Sequence, residues 1–412
     1  MSTGDGHSQT RSVNAASQWQ QATAALMKDG QLVQPSGLAA AVRDAVRPAG
    51  VDITIYLVDR EQRTLRPLPV ANKPTPEPVP IGASMAGRAF MTIAPVLATG
   101  GDARVWMPIV DGTERLGVAD VLLPETLSAS DPQVVDGLKV FTVLIGHLIV
   151  SKLAYGDSLR RVRHSEPMSV AGELLWRMLP PLTFATANLV LAAVIEPCYR
   201  VGGDAFDYAV DDDTARLSIF DAVGHDLNAT ITATLTLAAT RAARIQGLDL
   251  PAIAKAADQA LASQFDDLRY TTAVLAELDL GQGGLRYLNA GHPATILLRR
   301  GKVVAALDDA RRVPLGLADP SDEVAEHSLE PGDRLLFHTD GITDARDADR
   351  EPFGVGRLVD LAERHAAAGL PAPETLRRLS HAVIEHQDGA LLDDATLMIV
   401  EWAPRAGESA TP

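Results

Sequence analysis

Aspartate recurs beside glycine, or at the edge of an apolar strand, in four distant places of the second half of the chain, and this recurrence constrains the fold more than any other feature. The motifs are YRVGGDAFDY (199–208), IFDAVGHD (219–226), FHTDGITDA (337–345) and LLDDATLMIV (391–400). Strands converge in a sheet, so carboxylates at their ends can share one rim. Each motif alone is equally explained as a turn, because aspartate before glycine is common there.

Clustered carboxylates need a partner, because their usual pKa near 4 leaves them charged and mutually repulsive at neutral pH. A divalent cation removes that repulsion, and all-oxygen ligation without paired cysteine or histidine favours Mg²⁺ or Mn²⁺. Two such ions about 4 Å apart activate a water and hold a phosphoryl group for in-line attack. The pattern is therefore compatible with phosphate-ester hydrolysis.

Composition limits the fold classes and the binding partners that are compatible with the chain. The chain has 412 residues, which favours two domains, and 46 % of them are hydrophobic, enough for sizeable cores. A formal net charge of -16 and an aromatic content of 4 % argue against nucleic-acid binding. The single cysteine, Cys198, excludes an internal disulfide and is compatible with a reducing cytoplasm; it is read as a small buried side chain, with a nucleophilic role as the alternative.

Neither a signal peptide nor a membrane span is predicted. The start MSTGDGHSQT lacks a basic region followed by an apolar run. The apolar stretch VFTVLIGHLIV (140–150) is shorter than the roughly 20 residues that cross a bilayer, so it is interpreted as a buried helix.

Periodicity divides the chain into two mixed halves. Helices are predicted within 17–46, then a strand at DITIYLVDR, a hairpin over 103–124 turning at Asp111-Gly112, and one long helix over about 131–163. An amphipathic helix over 169–182 precedes a run of short strands, which helices at 226–246, 250–264 and 355–387 interrupt. Antiparallel strands with inserted helices predict an α+β fold.

The second half resembles the SpoIIE/RsbU-type branch of the PPM metal-dependent serine/threonine phosphatases. The resemblance rests, in order, on PCYRVGGDAFD, FDAVGHD, YLNAGHPATILL, VPLGL, LLFHTDGITDARD, EPFGVGRL and DDATLMIV, and covers about residues 170–402. It implies a β-sandwich flanked by helices on both sides, an αββα arrangement. It also implies an enzyme that hydrolyses phosphoserine or phosphothreonine with two Mn²⁺ or Mg²⁺ ions.

The resemblance also implies the site residues. Asp204, Asp221, Asp340 and Asp393 match the catalytic, metal-binding acids, and the carbonyl of Ala222 matches a main-chain ligand. The sequence cannot decide between neighbouring acids, so Asp394 is the alternative to Asp393. Asp207 is expected to order the loop, with metal binding as its alternative.

Several positions invite more than one interpretation. The family's G-H-G is Gly224-His225-Asp226 here, so Asp226 either caps the next helix or adds charge that perturbs the metal site. His225 either donates a proton to the leaving alkoxide or is structural. His292 is predicted to be a loop residue near the rim. Arg200 is read as a surface arginine, with phosphate contact as the alternative.

The first half resembles a GAF-type sensor domain through ITIYLVDREQRTL, VPIGASMAGRAFMTIAPVL and WMPIVDGTERLGVADVLL. The predicted organisation is a disordered tail (1–16), a GAF-like regulatory domain with an α/β fold (17–155), a linker or switch helix (156–183) and the PPM-type domain (184–404). Such a domain implies an unknown small ligand, a partner or dimerisation. His147 is expected to be packed or interfacial, with haem ligation as the alternative.

The segment ELLWRMLPP occupies the place of a relay helix, and Leu174, Leu175, Trp176 and Leu179 are predicted to form a dimerising and switching face. The expected protein is a cytoplasmic, homodimeric phosphatase. By family analogy its substrate is a phosphorylated STAS-type anti-sigma-factor antagonist. The alternatives are a pseudophosphatase that binds a phosphoprotein or kinase without turnover, and a ligand-sensing scaffold.

Overall fold

The chain forms two compact units divided between Glu166 and Pro167. The computed structural model describes residues 5–98, 104–200, 202–224, 226–265, 267–389, 391 and 393–402, and over 5–16 it describes the backbone only. Each unit has its own hydrophobic core. The division falls inside the segment that was predicted to be a linker.

The first unit is built on a six-stranded sheet in the order β3-β2-β1-β6-β5-β4, with antiparallel pairings throughout. Its strands are β1 (Asp52–Val58), β2 (Thr64–Pro67), β3 (Val79–Pro80), β4 (Val96–Leu97), β5 (Arg104–Asp111) and β6 (Glu114–Leu122). The predicted hairpin at Asp111-Gly112 is confirmed, since β5 and β6 pair across it and Gly112 has a positive φ of 56°.

Helices cover both faces of this sheet. They are α1 (Asp5–Gly30), α2 (Leu38–Val46), α3 (Met85–Thr92), α4 (Pro132–Leu153) and α5 (Asp157–Arg163). Trp19 of α1 and Phe141 of α4 belong to the core on one face. Phe90 of α3 packs with Tyr56 and Trp106 on the other. Alternate residues of a strand point to opposite faces, so β1 contributes to both clusters.

Two predictions for these helices were wrong. Helix α1 begins at Asp5, within the segment expected to be a disordered tail. The single helix expected over 131–163 is two helices, α4 and α5, separated at Gly156. A β-carbon on Gly156 would lie 2.5 Å from the Pro35 side chain, so this close approach requires glycine where the chain turns.

Helix α4 is longer than its apolar stretch indicated. At 22 residues it is the one helix in the described part of the chain that could cross a membrane by length and composition. Its side chains Val134, Leu138, Phe141 and Ile145 are nevertheless buried in the core of the first unit. This burial agrees with the interpretation of a core helix.

The second unit contains two six-stranded sheets. Its strands are β7 (Thr183–Thr186), β8 (Leu189–Glu196), β9 (Asp204–Asp211), β10 (Thr214–Ala222), β11 (Thr271–Asp279), β12 (Gly284–Ala290), β13 (Thr295–Arg299), β14 (Lys302–Leu307), β15 (Arg311–Arg312), β16 (Ala325–Ser328), β17 (Asp333–His338) and β18 (Ala395–Trp402). Its helices are α6 (Val170–Met178), α7 (Leu227–Ile245), α8 (Leu250–Gln264), α9 (Asp340–Thr343), α10 (Gly354–Ala367) and α11 (Ala372–His386).

The two sheets pack face to face, and helices cover their outer faces. One sheet has the order β15-β12-β11-β10-β9 with β16 also on β12, and the other the order β14-β13-β17-β18-β8-β7. Leu191 of β8 lies in the core between the sheets, whereas Val190 packs outward beneath α10 and α11. Helices α7 and α8 pack on the first sheet. This arrangement confirms the predicted α+β class and the αββα sandwich.

Most predicted elements of the second unit are present, including α7, α8 and the final strand β18. Strand β9 was not predicted, because its sequence DAFDYAVD carries three acids and does not resemble a buried strand. Two partners compensate one of these acids: Asp207 is buried, and its carboxylate accepts hydrogen bonds from Arg241 and Arg244 of α7.

The predicted linker or switch helix (156–183) divides between the two units, because α5 packs in the first and α6, which contains the relay segment, packs in the second. In α6, Leu175 is fully buried, and the Trp176 indole Nε1 donates to the Cys198 carbonyl at 2.7 Å. Leu175 therefore faces its own domain and cannot belong to a dimerising face. That role stays a prediction for Leu174 and for the partly buried Trp176 and Leu179. Leu174 is exposed on the same helix.

Candidate metal centre

Strand pairing places the first two acids side by side. Strands β9 and β10 are antiparallel, and their register pairs Asp204 directly with Asp221. Side chains of directly paired residues point to the same face of the sheet, about 5 Å apart at Cβ. Asp204 and Asp221 therefore meet at one end of the first sheet, as predicted.

The other acids lie at the ends of two strands of the second sheet. Strand β17 leads into Asp340, and Asp393 and Asp394 directly precede β18, its antiparallel neighbour. Asp204 is connected to this edge by two hydroxyl groups: Thr339 Oγ1 donates to Asp204 Oδ2 at 2.8 Å, and Thr396 Oγ1 donates to the same oxygen at 2.7 Å. The two sheets thus contribute to one cluster.

Asp394 is held by main-chain amides. The amides of Gly202 and Gly203 donate to its Oδ2 at 2.8 and 2.5 Å. Asp393 is exposed, and its Oδ1 accepts the Asp394 amide at 2.9 Å. Asp394 therefore fixes the glycine loop, and its charge also raises the pKa values of Asp204 and Asp221. The charge of Asp393 raises the pKa values of Asp221 and Asp340.

Two glycines permit the close approach of these loops. A β-carbon on Gly203 would lie 2.7 Å from the Ala222 carbonyl oxygen and 2.6 Å from the Gly224 carbonyl oxygen. A β-carbon on Gly341 would collide with the Asp394 carbonyl. Only glycine leaves this space, so the carbonyl predicted to bind metal, that of Ala222, lies against a gap that any side chain would fill.

Burial and mutual repulsion raise carboxyl pKa values in the cluster. Burial, followed by the charges of Asp340 and Asp393, raises the pKa of Asp221 to about 8. Burial and the Asp221 charge also raise the pKa of Asp204 well above its usual range, against the opposing hydroxyl hydrogen bonds.

Burial and neighbouring charges also raise the pKa values of Asp394 and Asp340. Burial raises the pKa of Asp394 to about 6, although the amide hydrogen bonds of Gly203 and Gly202 act in the opposite direction. Burial, followed by the Asp393 charge, raises the pKa of Asp340. The cluster thus holds protons unless a cation replaces them.

The donor set fits Mg²⁺ or Mn²⁺. It consists of five carboxylates and a carbonyl, all of them hard oxygen ligands. In the described part of the chain, no three histidine, cysteine or acidic side chains already surround one point at metal-ligand spacing. Asp204 and Asp394 each direct one oxygen to a hydroxyl or an amide, and Asp221 and Asp340 share a side-chain hydrogen bond.

The structure decides between the two interpretations of Asp226. It is the N-cap of α7, where its Oδ1 accepts the Ala229 amide at 2.9 Å, and this hydrogen bond lowers its pKa. The Asp226 carboxylate is not among the charges that raise the pKa of Asp204, Asp221 or Asp340. Its position is that of a helix cap.

The other residues with open interpretations lie outside the cluster. Asp207 pairs with Arg241 and Arg244 and anchors α7 to β9, instead of binding metal. Cys198 is buried and Arg200 is exposed. His147 is exposed on α4, 3.6 Å from Asp111, so it is not packed. His225 lies outside the described residues.

His292 lies in a loop, as predicted, and its side chain is buried. Its Nδ1 lies 2.8 Å from Thr272 Oγ1, and the Asn289 side chain hydrogen-bonds both its amide and its carbonyl. Burial lowers the pKa of His292 to about 3, so the imidazole is neutral. A neutral, enclosed imidazole is a structural element of the AGHP loop.

Sequence reasoning missed the hydroxyl groups that position the acids. Thr339 and Thr396 belong to the quoted motifs HTDG and DDAT, and the Thr396 amide donates to Thr339 Oγ1 at 2.9 Å. A signal was available, because both threonines occupy the same motifs as the acids. Their partner, Asp204, is more than 130 positions away in the sequence.

Comparisons with known proteins agree with this geometry. Residues 211–403 match the family model of stage II sporulation protein E, SpoIIE. The second unit contains a SpoIIE-type PPM phosphatase domain. The matched region begins near the end of β9 and ends after β18, so the SpoIIE-type domain includes Asp221, Asp340, Asp393 and Asp394.

Individual relatives match parts of the chain. Phosphoserine phosphatase RsbP of Bacillus subtilis is 28 % identical over 211 residues, which is 49 % of this chain and 49 % of RsbP. Protein IcfG of Synechocystis sp. is 28 % identical over 142 residues, 34 % of this chain and 22 % of IcfG. The chain thus spans about half of RsbP and about a fifth of IcfG.

Among solved structures, the RsbU and RsbW domains of Rv1364c from Mycobacterium tuberculosis resemble the chain with 24 % identity and a TM-score of 0.47. The match covers 53 % of this chain and 62 % of that one. The family model is confined to the SpoIIE-type domain, and the GAF-like identity of the first unit stays a prediction.

Proposed function

We propose that the protein is a Mn²⁺- or Mg²⁺-dependent phosphatase that hydrolyses phosphoserine or phosphothreonine in proteins. The single observation that carries the proposal is the convergence of Asp204, Asp221, Asp340 and the Asp393-Asp394 pair. They form one cluster in which neighbouring charges raise carboxyl pKa values. Asp204 and Asp394 are buried within it, whereas Asp340 and Asp393 are exposed. Such a cluster is costly for a purely structural site, because buried like charges destabilise the fold.

Asp221 would help to hold the ions, because its register partner is Asp204 and the charges of Asp340 and Asp393 act on it. The Ala222 carbonyl would add a main-chain oxygen. When bound, the ions supply a lowered pKa for an attacking water and neutralise charge on the phosphoryl group. In the overall reaction the water oxygen bonds to phosphorus and the ester P–O bond breaks, giving inorganic phosphate and the free hydroxyl.

The proposed substrate is a phosphorylated STAS-type anti-sigma-factor antagonist. Support comes from the SpoIIE family match and from the relative RsbP, which is a phosphoserine phosphatase. Dephosphorylation would then release a sigma factor. The proposal includes a homodimeric state and a cytoplasmic location, which is compatible with a sequence that has a single cysteine and so no internal disulfide.

The activity is tested with p-nitrophenyl phosphate and the full chain, with Mn²⁺, with Mg²⁺ and with EDTA. We expect turnover with a divalent cation and none with EDTA. Wild-type protein that binds Mn²⁺ but hydrolyses nothing would favour the pseudophosphatase. The position of Asp226 as the N-cap of α7 supports the active enzyme over the pseudophosphatase.

A sensing role for the GAF-like unit is favoured by one pocket. It has a volume of about 230 Å³ and is lined by Ala40, Arg43, Asp52, Val70 and Lys73, among others. Arg43 pairs with Asp52 at 2.6 Å. A small ligand or partner at this unit would regulate the phosphatase. The test is a thermal-shift screen of small molecules on the full chain, with Lys73→Ala as the pocket variant. If a molecule raises the melting temperature of wild type and of Lys73→Ala equally, it binds outside this pocket.

A further inference from the structure

An apolar surface borders the acid cluster in the SpoIIE-type domain. Five large apolar side chains are exposed there, although most such side chains in this domain are buried: Leu268 (72 %), Leu227 (46 %), Val313 (44 %), Val223 (40 %) and Ile231 (39 %). We call this set the rim surface. Contiguous exposed apolar patches of this kind mark interaction sites.

The rim surface is continuous because three segments contact one another. Val223 follows the proposed ligand Ala222, and its amide donates to the Tyr270 carbonyl at 3.2 Å, close to Leu268. Leu227 and Ile231 lie one turn apart on the same face at the start of α7.

The third segment carries Val313. Thr271 and Leu315 exchange two main-chain hydrogen bonds of 2.9 Å, and a β-carbon on Gly316 would collide with the Arg269 carbonyl. The loop that follows Val313 is therefore fixed against the loop that carries Leu268.

The charged side chains beside the rim surface interact with one another. Arg269 pairs with Asp267 at 2.9 Å, its guanidinium lies 5.6 Å from the Phe265 ring, and it also interacts electrostatically with Asp226. The surface therefore offers a partner apolar area beside charges that are largely paired. A strongly charged peptide gains little from such a surface, whereas a folded protein with apolar side chains beside its phosphate gains burial.

We propose that the rim surface is the docking site of the phosphoprotein substrate, which it recognises as a folded domain that presents apolar side chains next to the phosphorylated residue. This inference rests on the proposed function. It commits to the substrate as occupant because Val223 is two residues from Asp221, so a protein whose phosphate reaches the cluster must cover this surface. A small phosphate ester reaches the acids without touching Leu268 or Val313.

The test compares three substrates with the full-length protein and Mn²⁺. They are a STAS-domain protein carrying one phosphoserine, the short phosphopeptide with the same local sequence, and p-nitrophenyl phosphate. The variant is Leu227→Gln/Leu268→Gln, which removes apolar area without adding charge that would repel phosphate. The matched control is Ile245→Gln, since Ile245 is 83 % exposed at the far end of α7, about 27 Å along the helix from Leu227.

For the folded substrate we expect the double variant to lower kcat/KM at least about tenfold, as loss of two central apolar contacts does at interfaces. For p-nitrophenyl phosphate and the peptide we expect less than about a twofold change, and the control should behave as wild type with all three substrates. Because both substituted side chains are exposed, the melting temperature should not change.

Several results would overturn the inference. One is an equal loss with all three substrates, and another is no loss with the folded one. The inference is also contradicted if the wild-type protein has the same kcat/KM for the peptide as for the folded domain, or if it hydrolyses only the small ester. A change of oligomeric state in the double variant would assign the surface to a second copy of the chain. Hydrolysis of none of the three by wild type would overturn the proposed function itself.

Discussion

The Gly203 amide lies 2.5 Å from Oδ2 of Asp394, although 191 positions separate the two residues in the sequence. This hydrogen bond joins the loop that leads into β9 to the loop that leads into β18, one from each sheet. It therefore connects the two halves of the acid cluster directly.

Replacement of a central acid should abolish activity. We expect Asp221→Asn and Asp340→Asn each to lower kcat for p-nitrophenyl phosphate at least about a hundredfold, because each loses a charge that holds the cations, and each 1.36 kcal/mol of barrier is a factor of ten. The control is Asp211→Asn, an exposed acid at the opposite end of the strand that begins with Asp204. Wild-type turnover by Asp221→Asn would contradict the assigned site.

Without divalent cations, stability should fall as the pH rises. The native pKa of Asp221 is raised to about 8 and that of Asp394 to about 6, whereas unfolded aspartate titrates near 4. Between these values the native state holds more protons than the unfolded state, so the free energy of unfolding decreases with pH.

The measurement is the melting temperature in EDTA and in Mn²⁺ from about pH 5 to 8. We expect the stabilisation by Mn²⁺ to increase with pH, because protons compete with the cation for the same oxygens. Asp221→Asn should flatten the dependence in EDTA. The raised pKa values would be contradicted if, in EDTA, the melting temperatures of the wild type and of Asp221→Asn changed with pH in the same way.

The capping role of Asp226 predicts a difference between two substitutions. Asn retains the side-chain oxygen that accepts the Ala229 amide, so Asp226→Asn should keep both activity and melting temperature. Asp226→Ala loses the cap and should lower the melting temperature while turnover at saturating Mn²⁺ persists. Increased Mn²⁺ affinity in Asp226→Asn would instead show that the charge acts on the cluster.

The close approach at Gly341 predicts that a single methyl group is not tolerated. In Gly341→Ala the new β-carbon would collide with the Asp394 carbonyl, so the loops must separate. We expect a lower melting temperature and loss of Mn²⁺-dependent turnover. Gly356→Ala is the control, because a β-carbon there meets no atom within 4 Å. Equal behaviour of the two variants would contradict the tight contact.

The indole of Trp176 predicts a relay from α6 to the glycine loop. Trp176→Phe keeps an aromatic ring but removes the donor to the Cys198 carbonyl, at a cost of about 1 kcal/mol in stability. We expect weaker Mn²⁺ activation, because the chain runs from Cys198 directly into Gly202 and Gly203. Leu174→Ala, exposed on the same helix, is the control. Unchanged Mn²⁺ activation in Trp176→Phe would remove the relay.

Short-range patterns determined much of the fold. The hairpin at Asp111-Gly112, helices α7 and α8 and strand β18 follow from periodicity and turn residues, which depend only on neighbours in the chain. Where local preference and tertiary contact disagree, prediction failed. Strand β9 contains Asp207, whose burial is possible only because Arg241 and Arg244 come from a helix more than 30 positions away.

The sequence by itself determined which residues form the acid cluster, because the motifs carry the carboxylates and the glycines that let loops approach. Only the tertiary structure decided their separate tasks: Asp394 on the glycine amides, the charge of Asp393 acting on Asp221 and Asp340, Asp226 as a cap, and Thr339 and Thr396 on Asp204. The physical reason is that adjacent side chains of the same type have identical chemistry, and only the partners that the fold places beside each one distinguish them.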